Sequence, residues 1–203
     1  EIERIADDIL GNDYSIAWSG VSFQEREESS KGVLAFVIAF IFVFFTLSAL
    51  YESWRLPMAV VLGVPLAVLG ALAATGAAHL IEPKYINDIY LQISLVMLIG
   101  LAAKNAILVV EYADIIHRKQ KMPILDATVE AAKERVRPIL MTAFASILGM
   151  LPLVFASGVY STARNIMGIA LVGGLIFATL FGIFIYPALY YLVEKGLKRS
   201  IKN

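Results

Sequence analysis

The sequence predicts an all-α membrane protein: five membrane-spanning helices behind a short α/β piece at the N-terminal end. Three observations predict it. Of 203 residues, 59% are hydrophobic, against about 45–50% in an ordinary soluble domain. The excess lies in runs, each long enough as a helix for a hydrocarbon core roughly 30 Å thick. Charged residues fall between the runs, with the single exception of Lys104. The formal net charge of zero argues against a nucleic-acid partner. The absence of cysteine excludes disulfides and thiolate metal sites.

Residues 1–31 are polar. Ile2, Ile5, Ala6 and Ile9 recur at helical spacing and stop at Gly11-Asn12. Tyr14, Ile16 and Trp18 then alternate with polar or small residues, the pattern of a strand. One helix and one strand cannot bury a core. They read as the edge of a larger α/β domain, and Phe23–Lys31 as a charged lead-in to the membrane. The chain begins at Glu1 with no signal peptide before the first apolar run, so it reads as the C-terminal piece of something longer.

Residues 32–50 form the first span, closed by the interfacial cluster Tyr51, Trp54 and Arg55. The second span is 58–78, with Pro65 inside it. Gly63, Ala67, Gly70 and Ala74 give it a small-residue face that admits a neighbouring helix closely. A polar loop, 79–88, leads to the third span, 89–110. Behind Pro123, the residues Ile124, Leu125, Val129, Ala132 and Val136 make one apolar face, so 122–136 is expected to lie on the membrane surface as an amphipathic helix. The fourth span is 139–156, with Pro152 inside. The fifth is 166–193, carrying Gly174, Ala178 and Gly182 at intervals of four. Residues 194–203 form a basic tail.

Five spans put the chain ends on opposite sides. Arg55, Arg118, Lys119, Lys121, Lys133, Arg135, Arg137 and the tail cations share one side. The other holds only Arg4, Arg26, Lys31, Lys84 and Arg164. The excess of positive charge makes the first side cytoplasmic and faces the N-terminal segment outward.

Lys104 is the first candidate for function. From it to Glu111, the next interfacial marker, is about 11 Å along a helix, more than a lysine stem spans by snorkelling. Its insertion costs at least about 2.5–3.5 kcal/mol. Met97, Gly100, Leu108 and Glu111 share its helical face, and Gly100 leaves room for a partner helix. Asn105 is turned about 100° from it. Lys104 is either a structural lysine paired with a carboxylate, or one that changes partner as a carboxylate takes and releases a proton. Either reading needs an acid, and no Asp or Glu lies inside any span. The carboxylate must come from elsewhere. Thr142 and Ser146 lie four apart in the fourth span, and Arg135 two turns before Thr142, a spacing that allows a polar track to Lys104. Intramembrane Thr and Ser ordinarily bond their own backbone, and Pro138 weakens the geometry. His79 and His117 stand alone at span ends. No nucleophile elbow, nucleotide-binding loop or metal-ligand spacing is present, which argues against an enzyme and against a cofactor.

At GLAAKNAILVVEYA (Gly100–Ala113) and ERVRPILMTAFASILGMLPL (Glu134–Leu153) the sequence resembles the resistance–nodulation–division efflux pumps, in their hydrophobe/amphiphile, AcrB-type branch. ALYESWRLPMAVVLGVPLAVLGA (Ala49–Ala71) and YSIAWSGVSFQE (Tyr14–Glu25) match the same family pattern in the same order. The resemblance implies the last five helices of a twelve-helix bundle, preceded by the end of a periplasmic porter domain. It implies a drug/proton antiporter of the Gram-negative inner membrane, working as a homotrimer with a periplasmic adaptor and an outer-membrane channel. It implies a proton relay containing Lys104, Thr142 and Arg135, with Asn105 beside the lysine. The relay's aspartates lie on a helix this chain does not contain. Two alternatives remain: an inactive or split-gene fragment, and an exporter of the same fold with another cargo, such as metal ions or lipids. The scattered methionines give no support to a metal-ion path.

Overall fold

A computed structural model describes residues 32–82, 89–159 and 161–200, with the backbone alone at Val33 and 196–200. The helix and strand expected within 1–31 lie outside the described residues. Among the described residues all regular structure is helical. The order is α1 (Gly32–Tyr51), α2 (Arg55–Val61), α3 (Val64–Ile81), α4 (Ile89–Lys119), α5 (Ile124–Val154) and α6 (Ser161–Ser200). Counting α2 and α3 together, five stretches are long and apolar enough to cross a membrane.

The chain leaves α1 through Glu52, whose φ of 46° ends the helix. The second apolar run is not one helix. Pro65 stands in the first turn of α3, where its missing N–H costs nothing. Gly63 donates to the carbonyl of Val60 at 3.1 Å, a tightened turn that separates α2 from α3. Tyr186 seats its ring here: a Cβ on Gly63 would stand 2.1 Å from it.

The expected surface helix over 122–136 and the fourth span over 139–156 are corrected by the structure. They are one helix, α5, of 31 residues. Pro138 removes a single backbone bond, and the flanking turns hold the helix across it. With 31 residues, α5 has more length than a hydrocarbon core requires. The buried stripe of its first half is Ala127, Thr128 and Ala131, facing α4. Leu125 and Val129, from the expected apolar face, are exposed.

Helix α6 is the centre of the bundle, packed against α3, α4 and α5. Small residues permit the approach. A Cβ on Gly173 would lie 2.2 Å from the Cβ of Ala74, and one on Gly174 would lie 3.0 Å from the carbonyl oxygen of Ala67. The sequence places Gly70 and Ala74 on one such face and Gly174 on the other. Around this seam lie Leu91, Leu98, Leu171 and Leu175. A second cluster joins α1, α2, α4, α5 and α6 through Leu47, Val60, Val109, Ile139, Tyr186 and Tyr190. By contrast, only 6% of the apolar stretch Leu34–Tyr51 is buried within the chain.

Polar contacts tie the helices at the end rich in basic residues. Arg55 pairs with Glu194 at 3.4 Å, joining α2 to α6. Asp114 takes Arg118 at 2.8 Å and accepts the Tyr190 hydroxyl at 3.5 Å.

The closest approach to a backbone is at Gly168 of α6, where a Cβ would stand 2.6 Å from the Val154 nitrogen. We expect Gly168→Ala to destabilise the bundle by about 1–3 kcal/mol, since main chain must move. Thermal unfolding of the protein in detergent micelles reads this as a lowered midpoint. Gly149→Ala, with nothing within 4 Å, is the control and leaves the midpoint unchanged or raises it.

Candidate functional site

Helix α4 has two faces. Leu98, Ala102, Ala106, Val109 and Ala113 are buried against its neighbours. Ile93, Met97, Gly100, Lys104, Glu111 and Ile115 are exposed and follow one another at three-, four- and seven-residue steps. They form one continuous stripe. Lys104 is its only charge before Glu111, with apolar residues and Gly100 on either side. Gly100 is open: a Cβ there would meet nothing within 4 Å. Among the described residues no carboxylate forms an ion pair with Lys104. Within the described residues the Lys104 side chain stands on an open face.

Asn105 occupies the other side of α4. It is 3% exposed, and its Nδ2 has no hydrogen-bond partner among the described residues. Leaving such a group unpaired costs about 1–3 kcal/mol. Thr142 sits half-buried on α5 and donates its hydroxyl to the Ile139 carbonyl at 3.1 Å, the local bond ordinary for an intramembrane threonine. Arg135, two turns earlier, does not reach into the bundle. Its guanidinium lies over the Tyr112 ring, 4.2 Å from the centroid. Helices α4 and α5 are packed neighbours. Among the described residues, however, no hydrogen bond joins Lys104, Asn105, Thr142 or Arg135 to one another.

Tyr112 is the residue the sequence leaves unassigned. It donates its hydroxyl to Glu134 and carries Arg135 on its face. The signal was available: α4 and α5 make a hairpin closed over residues 120–123, so positions equally far from the turn meet. Ile116 and Ala127 belong to one core cluster on the two sides of this turn, and Tyr112 meets Glu134 and Arg135 further along it. Chemically, the site offers a fixed cation on an apolar face, an unpaired amide behind it and a second cation at the helix ends. That set can exchange charge partners. It holds no nucleophile activated by a base.

A sequence model of the AcrB/AcrD/AcrF family matches residues 1–194. The toluene efflux pump membrane transporter TtgB of Pseudomonas putida is 44% identical over 205 aligned positions, which cover 100% of this chain and 19% of TtgB. The multidrug export protein AcrF of Escherichia coli is 43% identical, covering 89% of this chain and 17% of AcrF. The multidrug resistance protein MdtF of the same species is 45% identical, covering 92% and 18%. The chain thus spans about one fifth of the length of these relatives. With five apolar helical stretches and a match over almost its whole length, the chain is part of a multi-pass membrane protein and belongs to the AcrB/AcrD/AcrF family of resistance–nodulation–division transporters.

Proposed function

We propose that this chain is part of the permease of a proton-driven drug efflux system, and that Lys104 is the cation of its proton relay. The observation that carries this reading is the open, apolar stripe around Lys104 beside Gly100, with no carboxylate partner among the described residues. An ammonium at lipid depth requires a counter-charge. The space over Gly100 is where another helix would bring one.

The mechanism is electrostatic. While the partner carboxylates are ionised, Lys104 is held against them. Protonation removes their charge and the attraction lapses. Lys104 then turns to a neutral acceptor, and the Thr142 hydroxyl is the candidate, since its bond to Ile139 uses the proton and leaves the oxygen lone pairs free. Asn105 supplies a second donor behind the lysine, and Arg135 a fixed positive charge toward the basic end. A two-state arrangement biased by one proton is sufficient to move helices. Transport rather than catalysis follows from a site able to exchange partners but not to activate a nucleophile.

The names of TtgB, AcrF and MdtF support hydrophobic and amphiphilic drugs or solvents as cargo. The assembly that goes with this reading is a homotrimer in the Gram-negative inner membrane, with a periplasmic adaptor and an outer-membrane channel. Its N-terminal segment is periplasmic and its basic tail cytoplasmic.

In the complete pump, we expect Lys104→Ala to abolish drug export while trimers assemble at the wild-type level. Accumulation of a fluorescent substrate in cells, normalised to trimer, measures it. Wild-type export by a well-assembled Lys104→Ala pump would sink the reading. Thr142→Ser keeps the hydroxyl and retains export, whereas Thr142→Val, of similar shape, loses about tenfold, the equivalent of one lost hydrogen bond.

A further inference from the structure

We infer that Tyr112 is a positioning residue for Arg135: its ring fixes the arginine in place without neutralising it. This rests on the proposed relay role of Arg135. The guanidinium carbon lies 4.2 Å from the Tyr112 ring centroid, within the range of a cation–π contact. Arg135 forms no ion pair with a carboxylate among the described residues, although Glu134 is its chain neighbour and Glu130 lies near the same tyrosine. Glu134 instead accepts the Tyr112 hydroxyl. One ring therefore performs two tasks. Its edge engages the nearest carboxylate, and its face holds the cation.

The distinction matters for a proton path. An ion pair would fix Arg135 and cancel its field together. An aromatic face attracts a cation through its quadrupole and carries no net charge, so the ring itself cancels none of the positive charge of Arg135. Tyr112 belongs to α4, the helix of Lys104, and Arg135 to α5, the helix of Thr142. The contact thus joins the two relay helices at the end where their charges lie. The Asp114–Arg118 pair and the Tyr190–Asp114 bond sit within the next turn of α4 and leave Arg135 to the ring.

The test uses the complete pump, with drug efflux normalised to trimer and followed against external pH. Arg135→Ala sets the baseline of a lost cation. Tyr112→Met keeps apolar bulk and removes the ring; we expect efflux to fall about two- to fivefold and its pH profile to shift as in Arg135→Ala. Tyr112→Phe keeps the face but releases Glu134 from the hydroxyl; its efflux stays clearly above the Arg135→Ala baseline. Tyr112→Trp offers the stronger platform and also retains efflux, which keeps the test decisive should the methionine variant fail to assemble. The inference is overturned if Tyr112→Met exports as wild type while Arg135→Ala does not, or if Tyr112→Phe or Tyr112→Trp falls as far as the baseline. Wild-type efflux by Arg135→Ala overturns the relay role itself, a separate result.

Discussion

A lone ammonium on a helix whose surroundings are apolar constrains everything else in this molecule. Hydrocarbon provides neither water nor counter-ion, so the charge on Lys104 must be met by another protein group. The described helices do not meet it. They turn their small and apolar residues toward one another and leave the lysine on the remaining face of α4. The lysine therefore stands where the packing of this chain stops.

Packing in lipid follows a different rule from packing in water. Apolar side chains gain little by leaving a medium as apolar as themselves, and close van der Waals fit decides which helices adhere. Here the fit comes from absent side chains. Gly70, Gly173 and Gly174 bring α3 and α6 within backbone reach, and Gly63 and Gly182 form the seat of the Tyr186 ring. The seam is dense, while α1 stands almost wholly exposed on the flank, held by α2 and α4.

Much of this was legible from residue order. The apolar runs marked the helices because a bilayer demands length, and small residues at steps of three and four marked the α3–α6 seam. Prolines misled in both directions. Pro65, read as interior, begins a helix behind a tight turn, and Pro138, which falls between the expected surface helix and the fourth span, lies inside one helix. A proline deletes one hydrogen bond wherever it stands; whether the helix breaks depends on neighbours that composition does not reveal. In the site, the absence of any Asp or Glu from the spans that surround Lys104 in sequence was readable directly. The seat of Arg135 was not. Its spacing to Thr142 suggested a track along one helix, whereas its partner is a ring on the adjoining helix, a contact made by the hairpin rather than by periodicity.

The continuity of α5 through Pro138 has a mechanical consequence. One hydrogen-bonded backbone runs from the level of Thr142 to Ile124 at the hairpin end, with α4 held alongside through Tyr112. The hairpin and the level of Thr142 are thereby parts of a single element, with no loop between them.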